Sequence, residues 1–179
     1  GFVIFIRDRA YTYNILVNLF GGVPIVDKEE LSPRFDYTRA SRKEVLEFIQ
    51  KDLEFAAQYL PIVTSEASQD GRIFRAAANH LLSEVYISLG QETGDQSFYD
   101  KSIAAATTVI DGSCGEYSLV KSRFGDTSRP GDYYSDLFWT NQQNRASGNK
   151  EGIWVVQFEY LTPGAEEANN AQLRLWGPK

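Results

Sequence analysis

Residues 41–61 read SRKEVLEFIQKDLEFAAQYLP, and this stretch decides the fold. Ser41 and Glu44 stand in the S-x-x-E spacing, in which the hydroxyl and the later carboxylate each satisfy a backbone N–H left free at a helix start. Val45, Phe48, Ile49, Leu53, Ala56 and Leu60 follow at helical spacing and make one continuous apolar stripe. Pro61, which cannot continue a helix, marks its end. The stretch is therefore an amphipathic helix with one face to bury, and it needs helical neighbours.

Those neighbours are legible on both sides. From Phe5 to Phe20, Tyr13, Leu16, Val17 and Phe20 fall at i, i+3, i+4 and i+7, and Gly21 and Gly22 stop the helix. Residues 23–40 carry two prolines and mixed charge without helical period and read as a long connection. After the polar stretch 62–71, a third helix runs from Ala76 to Leu89 with Leu82, Val85, Tyr86 and Leu89 on one face and Gly90 as terminator. The fourth runs from Ser97 to Ile110, with Tyr99, Ile103, Ala106 and Ile110 at helical spacing and Asp111-Gly112 closing it. Gly21 and Gly90 stand 69 residues apart, and superposing them sets Leu82, Val85, Tyr86 and Leu89 against Tyr13, Leu16, Val17 and Phe20. That offset is about twice the 34-residue tetratricopeptide period. The small residues Ala104, Ala105 and Ala106 suit the close helix packing of such a repeat.

Beyond residue 115 the texture changes. Glu116 to Gly131 is loop-like, Asp136 to Thr140 reads as a short helical turn, and Gly152 to Phe158 (GIWVVQF) reads as a strand. Leu161 to Lys179 is polar loop. The expected fold is mainly α: tetratricopeptide-like helical hairpins over residues 1–115, then a loop-rich segment over 116–179 with one short strand.

Composition narrows the function. Eighteen basic and 24 acidic side chains give a net charge of −6, which provides no electrostatic footprint for nucleic acid. One His (His80) and one Cys (Cys114) can build neither a Cys/His zinc site nor a disulfide framework. No nucleotide-binding glycine loop, calcium loop or H-E-x-x-H occurs, so no cofactor or metal is expected. Gly112-Ser113-Cys114-Gly115 lacks the G-x-S-x-G spacing of a nucleophile elbow and reads as a helix-ending turn. His80 reads as a packing or surface residue, and Glu29-Glu30 and Glu166-Glu167 as loop carboxylates pointing apart, so no catalytic group is assigned. The uncharged run from Ala10 to Val26 holds Asn14, Asn18, Gly21, Gly22 and Pro24, which suits a soluble helix and turn better than a membrane span. The chain has no Met, which points to a processed product or a piece of a longer protein.

The distinctive surplus is aromatic: 3 Trp, 10 Tyr and 11 Phe. After residue 130 the aromatics stand among amides and a guanidinium, as Tyr133, Tyr134, Phe138, Trp139, Asn141, Gln142, Gln143, Asn144 and Arg145, with Trp154 and Trp176 further on. Flat apolar faces suit the C–H side of pyranose rings, and planar amides suit their hydroxyls. Burying about 100 Å² of sugar face on a Trp contributes about 2.5 kcal/mol. Tyr133, Tyr134, Trp139, Asn141, Asn144, Arg145 and Trp176 are the candidate ligand-binding residues, and Phe138 and Trp154 are expected to anchor loops onto the helices.

Taken in order, Leu19-Phe20-Gly21-Gly22-Val23-Pro24, Ser41-Arg42-x-Glu44, Leu60-Pro61, Gly71-Arg72 before Ala76-Ala77-Ala78, and Asn149-Lys150-Glu151-Gly152-Ile153 before a hydrophobic run resemble the SusD/RagB family over residues 9–160. The resemblance implies an outer-membrane lipoprotein of Bacteroidetes, facing the cell surface, that captures glycans or in some cases peptides for a SusC-like TonB-dependent transporter. It implies that the four helices belong to a tetratricopeptide-like scaffold packing on that transporter. Family members are much longer, so the chain is similar to a central portion of one. The family's lipid-bearing Cys lies near the start, and Cys114, inside the expected fold, does not match it. The family carries no universal binding motif, so the candidate residues rest on their chemistry alone. The competing reading is a tetratricopeptide-like scaffold that binds only protein.

Overall fold

The computed structural model describes residues 2–63, 70–139 and 142–156. Four helices run in order: α1 (Phe2–Phe20), α2 (Arg42–Tyr59), α3 (Arg75–Thr93) and α4 (Ser97–Ile110). Each packs on the next in sequence, and α1 barely meets α3, so the helices stack as successive hairpins, as in a tetratricopeptide array. A one-turn helix, α5 (Tyr133–Asp136), and a 3-10 turn (Arg145–Ser147) follow within a loop-rich segment.

Helix α2 begins as its sequence dictates. The Ser41 hydroxyl accepts from the Glu44 N–H, and the Ser41 N–H donates to the Glu44 carboxylate at 2.7 Å. Val45, Leu46, Ile49 and Leu53 are buried, meeting Ala10, Tyr13 and Val17 of α1 on one side and Leu82, Val85, Tyr86 and Leu89 of α3 on the other, while buried Ala56 packs with Leu60, Ala77 and Ala78. Across the α1–α2 seam, Arg9 pairs with both carboxylate oxygens of Asp52 at 2.8 Å. This bidentate bond holds the Arg9 guanidinium above its ordinary pKa. The long connection 23–40 is pinned from below: the Val26 N–H donates to the Tyr13 hydroxyl at 2.7 Å, and Ala40 N–H reaches the Val23 carbonyl.

Gly21 adopts φ +72° and caps α1 with its N–H on the Val17 carbonyl. At Gly22 a Cβ would fall 2.0 Å from the Ala40 carbonyl oxygen, so the second glycine is a site of close backbone approach. Both are accounted for, by different physics.

The helices depart from sequence expectation in four places. Helix α1 starts at Phe2 rather than Phe5, and Phe20, assigned to its inner stripe, is exposed at the helix end. Helix α3 does not stop at Gly90 but runs to Thr93 and ends at Gly94 with φ +71°. Gly90 lies inside the helix, where a Cβ would come within 2.8 Å of the Tyr99 ring of α4, so close packing accounts for the glycine. The buried face of α4 is Ser102, Ala105 and Val109 with Phe98 against the core, while Ile103 and Ile110 of the expected stripe are 66% and 79% exposed. A small or polar residue can face inward where it is satisfied, and the Ser102 hydroxyl donates to the Ser83 carbonyl at 2.8 Å.

The fourth departure is the strand. Over residues 152–156 the chain is irregular, and no strand occurs among the described residues. A strand needs a ladder partner, and here Ile153 and Trp154 instead lay their side chains on the Ala56, Ala77 and Ala78 cluster. Residues 157 and 158 of that expectation lie outside the described residues. Cys114 sits in the helix-ending turn as read, buried, with its thiol 3.5 Å from Asn79 Nδ2. His80 is on the surface, 3.6 Å from Glu84. No helix among the described residues is long and apolar enough to cross a membrane.

Candidate functional site

Helix α5 presents the aromatic tract. Asp132 caps it by accepting from the Ser135 N–H at 2.9 Å, and the Ser135 hydroxyl receives the Asp132 N–H at 2.8 Å. This box starts the turn at Tyr133, three residues before the expected Asp136. Tyr133 is exposed, Tyr134 is 64% exposed, and Phe138 is 66% exposed. Tyr134 and Phe138 meet edge to face at 5.2 Å. Phe138, expected to anchor the loop, therefore stands outside with the tyrosines and joins them as a surface aromatic group.

Arg123 fixes this presentation. Its Nε donates to Asp136 Oδ2 at 2.6 Å, Nη1 to the Gly131 carbonyl at 2.8 Å, and Nη2 to the Arg129 carbonyl at 2.9 Å. One planar guanidinium thus gathers the carboxylate of α5 and two carbonyls of the loop that leads into it. Asp136, shielded from solvent, also accepts from the Phe124 N–H, and its carboxyl is held below the usual range chiefly by the Arg123 bond. Buried Gln142 closes the other side, accepting from the Asp126 N–H at 3.0 Å and donating to the Phe124 carbonyl at 3.3 Å. In the sequence Gln142 stands out as one of the amides of the aromatic tract, whereas Arg123 and Asp136 carry no signal beyond the alternation of Arg, Asp and Gly that precedes it.

Trp139 is half-buried, with the Arg129 guanidinium over its ring at 5.1 Å and its indole N–H buried without an acceptor among the described residues. One of its faces is therefore already stacked. Asn144 and Arg145 belong to a different place, a crevice of about 30 Å³ that they line with Arg72 and Trp154. Arg145 donates to the Glu116 carbonyl and stacks on Tyr117 at 4.6 Å, so it ties the start of the loop-rich segment to the 3-10 turn. Burial pushes the Tyr117 hydroxyl up to about 12. Trp154 anchors its segment as expected, with Arg7 of α1 over its ring at 4.1 Å. Asn141 and Trp176 lie outside the described residues. The structure sets Tyr134 against Phe138, with Tyr133 exposed on the same turn and Trp139 following it under Arg129, and places Asn144 and Arg145 elsewhere. No cluster of metal-ligating side chains occurs among the described residues.

Residues 4–87 match the model of a SusD-like family described as "Starch-binding associating with outer membrane". Over that stretch the chain is similar to SusD-like proteins. A curated SusD-like protein of Formosa agariphila is 25% identical over 161 residues, 87% of this chain and 28% of its own length. The crystal structure of a SusD-like protein from Bacteroides fragilis superposes with a TM-score of 0.66 at 27% identity, covering 88% of this chain and 27% of that one. A laminarin-binding SusD-like protein superposes with a TM-score of 0.55 at 26% identity, over 66% of this chain and 25% of that one. The chain thus spans between a quarter and a third of the length of these relatives.

Proposed function

We propose that this SusD-like chain serves cell-surface capture of nutrient glycans, binding oligosaccharide on the aromatic turn around α5 and passing it to a SusC-like TonB-dependent transporter. In this reading residues 1–115 are the tetratricopeptide-like scaffold and residues 116–179 open the ligand-facing part of a lipid-anchored outer-membrane protein. The observation that carries it is the exposed trio Tyr133, Tyr134 and Phe138 held on the Arg123–Asp136 framework. Exposed aromatics stabilised by a polar network, rather than by burial of the rings, suit a flat apolar ligand face. The family description and the laminarin-binding relative support a glucan as ligand. Trp139 flanks the trio, while Asn144 and Arg145 border the ligand-facing part. The function is binding without turnover.

Titration of the purified protein with laminarin and starch oligosaccharides tests this reading, with Trp139→Ala beside the wild type. Saturable binding, weakened in the variant, with no new reducing ends is expected. Absence of binding to any glucan, or release of reducing ends, would overturn it. A lipid anchor predicts incorporation of a labelled fatty acid in the native host, and the transporter partnership predicts co-purification from outer membranes.

A second reading, a scaffold for protein alone, is favoured by one observation: Ile103, Ile110 and Leu119 are all exposed. It predicts that Ile110→Ser abolishes partner retention while no glycan binds at any concentration tested.

A further inference from the structure

The aromatic turn does not account for a cleft of about 570 Å³ that lies between α1, α3 and residues 151–156. That volume is in the range of small-molecule sites. Arg7 and Tyr11 of α1, His80 and Glu84 of α3, and Glu151 and Trp154 line it.

Arg7 is the anomaly. Its side chain is 4% exposed, yet among the described residues its one ion-pair contact is to Asp8, half-exposed, at a long 3.4 Å, and its Nε has no acceptor. The guanidinium instead lies over the rings of Trp154, at 4.1 Å, and Tyr11, at 5.1 Å. Burial lowers its pKa despite Asp8. A buried guanidinium with five donors and a single weak carboxylate contact has unmet capacity for an anion. The other polar groups behave differently: Glu84 stands 3.6 Å from His80, and Glu151 already accepts from the Val120 N–H. Carboxylates accept readily from hydroxyls, and they repel a second carboxylate unless it is held on a cation.

We propose that this cleft binds a uronic-acid unit, with the sugar carboxylate on Arg7, hydroxyls donating to Glu84 and Glu151, and the ring against the Trp154–Tyr11 wall. The inference rests on the glycan-binding reading but concerns a site separate from the aromatic turn, and it adds an acidic sugar to the glucan taken there. A neutral hexose of the same shape leaves Arg7 unmet and binds more weakly.

The test is competition at matched concentration between methyl glucuronide and methyl glucoside, read by calorimetry or by the tryptophan fluorescence of the wild-type protein. At least tenfold preference for the glucuronide is expected, and it should fall at least fivefold in Arg7→Lys. Because Arg7 is buried, the surface variant Glu84→Gln is measured in parallel and should lose at least threefold in affinity for the glucuronide. Equal affinity for the two sugars, or no loss in Glu84→Gln, overturns the proposal. If laminarin binds through the aromatic turn while the glucuronide does not bind, this inference fails and the general function stands. If neither binds, both fail.

Discussion

At the scale of single residues, the two adjacent glycines after α1 show how similar letters do different work. Gly21 occupies the left-handed region to cap the helix, with open space where a side chain would go. Gly22 has no such backbone requirement but faces the Ala40 carbonyl oxygen. Gly21→Ala should cost about 1 kcal/mol, the price of a left-handed alanine. Gly22→Ala must displace backbone and should cost about 3 kcal/mol or more, in the upper range for overpacking. Chemical denaturation of the two variants checks the order, and a smaller loss for Gly22→Ala would show that the 23–40 connection yields freely. The pair Gly-Gly was readable as a helix stop, because a stop is a local property. That one of them stands against residue 40 was not, because the contact is set by how the loop returns.

At the scale of elements, legibility followed the source of each helix's stability. Helix α2 carries its own start signal and an apolar stripe, so its bounds and most of its inner face are readable, though fully buried Leu46 lies off that stripe and Phe48 on it is only half-buried. Helix α4 buries Ser102 and Ala105 and exposes Ile103 and Ile110, and apolar spacing therefore pointed to the wrong side. Gly90 misled for the related reason that it serves a neighbouring ring rather than a chain end. In the site, the aromatic residues were visible as composition, but their display depends on Arg123, Asp136 and Gln142, whose partners lie up to 18 residues away. This framework should be acid-sensitive. Arg123 holds Asp136 low, a hydrogen bond from Ser128 holds Asp126 low, and the Ser135 N–H holds Asp132 low. Carboxylates depressed in the folded state stabilise it fully above their unfolded value, near pH 4, and that stabilisation disappears as pH falls through the depressed values. Near-ultraviolet circular dichroism of the aromatic tract should therefore change below about pH 4 before the helical signal does. Simultaneous loss of both signals would place the turn inside the helical unit.

At the scale of the whole molecule, α2 is the central layer, touching α1 on one side and α3 on the other. Leu53 is fully buried there, and Leu53→Ala should cost about 2–5 kcal/mol and lower the midpoint of the entire helical transition. Ile110 projects from the last layer, so Ile110→Ser should change stability by no more than about 0.5 kcal/mol. A large thermal shift for Ile110→Ser, with little for Leu53→Ala, would contradict this layering. The same separation lets the aromatic turn be altered without cost to the stack, since Tyr134 and Phe138 lie outside every core cluster described. The most direct measurement of the central claim is consequently an oligosaccharide titration of the wild type and of the double variant Tyr134→Ala/Phe138→Ala, with helical content monitored in both. Saturable glycan binding by the wild type and at least a tenfold loss in the double variant at unchanged helicity are expected, whereas equal affinity in the two proteins would contradict glycan capture on the aromatic turn.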